Sequence, residues 1–209
     1  DVLYNATFIQ RLIEPFEEDE KIVCVYSPII NYTRKCFVIN DCANLYIWLH
    51  GKSYRRSFLT KHNISFYPNS AGEDCGFNKQ VMMNASEKSI VQLKEPCYVW
   101  TDFNEENRIN TMKFGIFSSK KGLIENMLHV MKNAMYNKID PDTVYEELLG
   151  FFIDLYVQYN MFLCNLDDFK ITENECDEFL IWCKPIYFVI KNKELDMDIC
   201  NNIIFEKNK

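Results

Sequence analysis

A chain of 209 residues that is 48% apolar and 15% aromatic, with only six Gly and six Pro, is not collagen-like, low-complexity or disordered, because it has the apolar mass to offset ordering entropy. A net charge of −7 and a pI near 5.1 exclude a global electrostatic attraction to nucleic acid or to an anionic membrane. The longest apolar run, Leu148 to Ile153, falls far short of the ~18 residues a membrane span needs, so no direct membrane insertion is expected.

Residues 6 to 16 place Phe8, Ile9, Leu12, Ile13 and Phe16 on one helical face, with Asn5 positioned to cap it and Pro15 near its end. The acidic run Glu17 to Glu20 follows as a solvated link. Strand-like runs come next at Ile22 to Tyr26, Cys36 to Asn40 and Leu45 to Leu49, the last two flanking a tight reversal over residues 41–44. Further strands are expected at Ile64 to Tyr67, Ile90 to Leu93, Tyr98 to Thr101 and Met112 to Phe117. Between the first two of these, Pro68 to Asn78 reads as a loop with Gly72, Asp74 and Gly76 as its turn residues.

The hydrophobic period then changes. Leu123, Ile124, Met127, Leu128, Met131, Ala134 and Met135 recur at helical spacing. Asp140-Pro141 is an N-cap followed by Pro at the first helical position, and the helix it opens is apolar almost all round, which predicts burial. A third helix starts at a capping box, Thr172 to Glu175. Strands are expected at Ile186 to Lys191 and Ile203 to Glu206. The sum is an α+β fold with a strand-rich N-terminal half, central buried helices, short C-terminal strands and disulfide staples. It divides into a strand-rich lobe over residues 1–101 and a helical lobe over residues 102–209, unless the two form one compact domain.

Four Asn-x-Ser/Thr sequons begin at Asn5, Asn31, Asn63 and Asn84, all in the first half. The chain is rich in Asn, which raises the number expected by chance, but four exceed it. Nine cysteines accompany them: Cys24, Cys36, Cys42, Cys75, Cys97, Cys164, Cys176, Cys183 and Cys200. No two are spaced as in zinc ribbons or thioredoxin-type motifs. Oxidised pairing in a secretory compartment and reduced thiols packed as small apolar side chains are the competing readings, with pairing favoured by the sequons. On a helix Cys176 and Cys183 stand about 10.5 Å apart along the axis, too far to bond, so each must reach another partner or stay reduced; Cys164 and Cys200 can each take one of them. The unpaired ninth thiol then falls among Cys24, Cys36, Cys42, Cys75 and Cys97, available for a link to another protein. An excess of Lys over Arg with abundant Asn and Ile suits an AT-rich genome, such as that of a protozoan parasite or a large DNA virus.

The stretch from Cys36 to Ser53, with Trp48, Gly51 and Lys52 closing its second strand, resembles the strand pair of a gelsolin-type repeat. Arg34-Lys35 stands where that family has Gly-Asp, so its calcium ligands do not carry over. No nucleophile elbow, zinc-protease helix, phosphate loop or dinucleotide fingerprint is present, and Asp167-Asp168 and Asp196 to Asp198 lack the rest of a calcium loop. His50, His62 and His129 have no neighbouring carboxylate motif. No enzyme activity and no cofactor are therefore expected. Against the global charge stands one basic segment, Lys52 to Lys61, whose Lys52, Tyr54, Arg55 and Arg56 have the composition of a binding hot spot; a solvated loop, or a patch neutralised by the acidic residues after Pro15, is the alternative. Together these features predict a secreted or surface-associated, disulfide-bonded glycoprotein, a binding subunit of a parasite or viral complex held at the surface by a partner. The rival is an intracellular adaptor with reduced cysteines.

Overall fold

Helix α1 (Phe8–Glu18) forms where the sequence periodicity requires it and buries Leu12. Thr7 occupies its N-cap position without a side-chain cap bond, and Asn5 lies outside the described residues. The computed structural model describes residues 2–3, 6–32, 37–40, 48–68, 72–101, 115–164 and 172–192. Within them the fold is α+β. The strands, besides β1 (Val2–Leu3), are β2 (Cys24–Tyr26), β3 (Ile29–Tyr32), β4 (Phe37–Asn40), β5 (Lys52–Tyr54), β6 (Ile90–Gln92) and β7 (Tyr98–Thr101). The remaining helices are α2 (Arg56–Lys61), α3 (Glu73–Asn84), α4 (Gly115–Tyr136), α5 (Pro141–Cys164) and α6 (Glu173–Asn192).

The strands make two small mixed sheets, ordered β1-β7-β3-β4 and β5-β2-β6. Two parallel pairs run through both: β2 beside β6, then β3 beside β7. Pro28 interrupts one run and Pro96 the other. Neither has an N–H to donate, so the ladder breaks at those points and resumes as a second sheet. Around β2, Val23, Cys24, Ile64, Phe77 and Val81 form one core cluster; Leu12, Ile22 and Val25 form another under α1.

The chain folds as two units, one of Asp1–Phe66 with Phe77–Ile109, the other of Tyr67–Gly76 with Asn110–Lys209. In the second, α4, α5 and α6 pack on one another. Their core includes Ile124, Leu128 and Met131 of α4, Val144 and Leu148 of α5, and Phe179 and Ile186 of α6. The Asp140 carboxylate accepts the Thr143 N–H at 3.1 Å, capping α5 as its sequence predicts. At α6 the capping box closes in both directions: Glu175 N–H donates to Thr172 Oγ1, and Thr172 N–H donates to the Glu175 carboxylate. These bonds from Thr172 hold the Glu175 pKa below the ordinary carboxylate range.

Several expectations are corrected. Glu73–Asn84 is a helix, not a loop. Gly76 is buried inside it because an added Cβ would come within 2.6 Å of Asn126 Oδ1 on α4; the glycine permits close approach and makes no turn. Residues 64–67 form no strand, although the Gln80 side chain imitates a strand neighbour by donating to the Ser65 carbonyl at 3.0 Å and accepting the Ser65 N–H at 3.4 Å. Gly115 to Phe117 are helical, and so are residues 186–191, where a strand was expected. Helix α5 is not buried all round: Leu149, Ile153 and Val157 face solvent. In the gelsolin-like stretch, β4 pairs with β3 and β5 pairs with β2, so the two segments belong to different sheets. The expected reversal at residues 41–44, residues 45–47, the strand Ile203 to Glu206 and the acidic pairs at 167–168 and 196–198 lie outside the described residues.

Among the described residues disulfide staples are also not seen. Cys24, Cys75, Cys97, Cys176 and Cys183 carry thiols, and no bond joins any of them. Cys24 lies fully buried in the core around β2, while Cys176 and Cys183 are buried on α6; all three pack as small apolar side chains. Burial pushes the thiols of Cys24 and Cys183 up to about 12 and raises those of Cys97 and Cys176. Cys36, Cys42 and Cys200 lie outside the described residues, as does the side chain of Cys164.

Candidate protein-binding surface

The basic segment that stood out in the sequence is built into the fold. Arg55 is held over the Phe16 ring at 5.3 Å. Its Nε donates to the Ile22 carbonyl at 2.7 Å, and one terminal nitrogen donates to the carbonyls of Phe16 (2.9 Å) and Asp19 (3.1 Å). The Phe16 and Asp19 oxygens lie where α1 ends and have no intrahelical partners, so Arg55 closes that helix from 36 to 39 residues away in sequence. The Tyr54 hydroxyl donates to Asn78 Oδ1 at 2.6 Å, and its ring stands edge-on to Phe77. Asn78, completely buried, donates in turn to the Trp48 carbonyl, which also accepts from Lys52 Nζ. Lys52, Tyr54 and Arg55 therefore position backbone, while Arg56 is exposed on the first turn of α2.

Two exposed apolar surfaces emerge instead. Strand β4 pairs only with β3 among the described residues, and its consecutive Phe37, Val38 and Ile39 are 66%, 49% and 63% exposed. Three adjacent apolar side chains normally mark a strand covered on both faces. Here both faces meet solvent, with Phe37 stacked on Tyr32 at 4.1 Å. An apolar edge strand presents unpaired backbone groups and side chains together, the arrangement that recruits another chain. The second surface, on the helical unit, is the α5 stripe Leu149, Ile153 and Val157, one and two turns apart.

On the four-stranded sheet, Trp48 stacks on Trp100 at 5.9 Å and His50 tilts against Tyr98 at 5.1 Å. These rings are half-buried and hold the segment that leads into β5. Gly51 follows with φ +66°, and a Cβ there would lie 2.7 Å from Ser27 Oγ. Of the other two histidines, His62 lies against Phe58 and His129 against Tyr67.

One open groove of about 280 Å³ lies beside α1, lined by Arg11, Glu14, Pro15, Glu18, Leu93, Lys94 and Glu95. Arg11 is neutralised there by Glu95 at 2.5 Å, which raises the guanidinium pKa. The groove gathers no nucleophile with a base, and among the described residues no three metal-ligating side chains converge. Of the sequons, Asn63 is exposed in the turn after α2, Asn31 and Asn84 are half-buried, and Asn5 lies outside the described residues.

Sequence reasoning identified β4 as a strand but assigned its neighbour to residues 45–49, leaving its exposure unseen. The signal available was the unbroken apolar triplet, a pattern that calls for cover on both faces and that the neighbouring strands in this chain do not supply among the described residues. No protein-family model, no curated protein and no solved structure matches this chain.

Proposed function

We propose that this chain is a non-enzymatic protein-binding subunit, secreted or surface-associated, in a parasite or viral complex that engages a host protein. The observation that supports binding is the edge strand β4, whose Phe37, Val38 and Ile39 are all solvent-facing. A partner adding a strand there would gain main-chain hydrogen bonds for affinity and alternate side chains for specificity. Arg56 remains a contact candidate from the basic segment, and the sequons support passage through a secretory compartment. A disulfide tether to the partner would not use Cys24 or Cys97, which are fully buried. The test is a photo-crosslinking amino acid placed at Phe37 or, as control, at exposed Lys88 in cells of the source organism. A discrete protein adduct from position 37 and none from position 88 is expected. The same adducts from both, or none from 37, overturns the reading.

A second reading, an intracellular α+β adaptor with reduced cysteines, draws on the buried thiols of Cys24, Cys97, Cys176 and Cys183. Intact mass of native material, alkylated after denaturation with and without reduction, separates the two. Nine alkylated cysteines without reductant would favour the adaptor over the secreted subunit.

A further inference from the structure

We infer that Asn63 is the sequon this fold presents for N-linked glycosylation, and that Asn31 and Asn84 are not modified in the folded chain. The inference rests on the secretory reading, and it concerns which of the sites the fold can accommodate. A glycan is bulky and hydrophilic, so its attachment nitrogen must reach solvent and stay there.

Asn84, in the last turn of α3, donates that nitrogen to the Gln80 carbonyl at 2.8 Å, and its Oδ1 is buried. Modification would replace one of the two hydrogens on that nitrogen, so a sugar would have to be accommodated on a half-buried amide already engaged with its own helix. Asn31 belongs to β3, with β7 on one side and β4 on the other, in register with Trp100 and Val38. Its Oδ1 is buried as well, so a glycan would have to leave from a half-buried amide on a sheet face.

Asn63 differs in exposure and in backbone. It is exposed, φ is +50°, and it follows α2 at the position where a helix commonly ends in a left-handed residue. The Ile64 N–H donates to the Leu59 carbonyl at 2.9 Å and the Asn63 N–H to the Thr60 carbonyl at 3.3 Å. That pair of bonds fixes a Schellman turn, with Ile64 buried and anchoring it from below. The turn thus pins the backbone on both sides of an outward side chain. Ser65, which completes the sequon, is exposed too.

In the transfer step Asn63 Nδ2 bonds to the anomeric carbon of a polyprenyl-diphosphate-linked oligosaccharide. The bond from that carbon to the diphosphate oxygen breaks, the diphosphate leaves with the electron pair, and the carboxamide releases one proton. No oxidation state changes.

The test expresses the full chain behind a secretory leader in eukaryotic cells and maps glycopeptides of the secreted, folded fraction site by site. Occupancy at Asn63, with Asn31 and Asn84 unmodified, is expected; sites are read separately, so Asn5 does not enter. Ser65→Ala should remove that glycan without altering the left-handed residue, and Asn63→Gly should do so while keeping the turn. A glycan on Asn31 or Asn84 in folded protein, or an unmodified Asn63, overturns the inference. If the leader-fused chain shows the expected pattern but the chain from its natural source has no glycan at any site, the secretory reading fails and the site preference stands.

Discussion

In the sheet unit, buried or half-buried polar side chains reach across the fold to backbone oxygens far away in sequence: Arg55 to Phe16, Asp19 and Ile22, Ser53 to Leu12, Asn78 to Trp48, and Gln80 to Ser65. In the helical unit the buried amide of Asn126 donates one turn back along its own helix, to the Gly122 carbonyl at 3.0 Å, buried Asn133 accepts from Asn137 one turn on, and the other buried side chains on the three helices are apolar among the described residues. The cause is element length. Strands of two to four residues close few ladder bonds, so carbonyls between the elements and at the end of α1 are met by side chains from elsewhere in the unit. Helices of 20 to 24 residues satisfy their own backbone and leave their faces free for apolar packing. Order in one unit therefore depends on distant polar contacts, and in the other on volume.

The largest break in that comparison is Phe179→Ala. Phe179 is completely buried on α6, and truncation removes transfer free energy and leaves a cavity, a loss of about 3–5 kcal/mol. Chemical denaturation measures it. A loss below about 1 kcal/mol would mean that the helical core is not the close-packed interior described.

Next is Arg55→Met, which keeps an apolar stem for Phe16 but removes three charge-assisted hydrogen bonds. About 2 kcal/mol is the expected cost, since bonds to a charged donor contribute roughly 1.5–3 kcal/mol and the three act as a unit. Arg55→Lys should recover little, because an ammonium cannot reproduce the fork that reaches Ile22 and Phe16 together. Full recovery by lysine would show that charge near the end of α1, and not the bond geometry, is what matters.

The same contrast explains what was legible in the sequence. Helices α4, α5 and α6 could be read because their stability comes from apolar period and local caps, and Asp140 and Thr172 to Glu175 announce the starts of the last two. Helix α3 could not, because Asn78 and Gln80 are among its inward residues and polar side chains facing inward erase the amphipathic pattern. The end of α6 was misread because Ile186 to Ile190 follows Pro185 and is rich in aromatic and β-branched residues, a strand signature that packing of Ile186 overrides. Arg55 looked like a contact residue because its composition is that of a hot spot, while its partners sit 33 to 39 residues away. For the candidate surface, the strand identity of β4 was legible and its exposure was not, since exposure depends on which strands pair beside it.

The smallest effect isolates local geometry from both kinds of packing, because each unit contains the same turn. Helix α4 ends as α2 does: the Ile139 N–H donates to the Ala134 carbonyl at 2.9 Å and the Lys138 N–H to Met135 at 3.1 Å, with Lys138 at φ +55°. The two turns differ in the residue at the left-handed position, Asn63 in one and Lys138 in the other. Left-handed backbone costs a residue such as Lys about 1–2 kcal/mol, whereas Asn visits it readily. Glycine relieves that strain but adds about 0.5–1 kcal/mol of backbone entropy to the unfolded chain. Lys138→Gly should therefore stabilise by about 0.5–1 kcal/mol, and Asn63→Gly in unglycosylated protein should change stability by no more than a few tenths. Thermal or chemical denaturation of the two variants side by side reads the difference. Equal effects would mean that the turns are held by the burial of Ile64 and the packing around Ile139, and not by the preference of the residue at their apex.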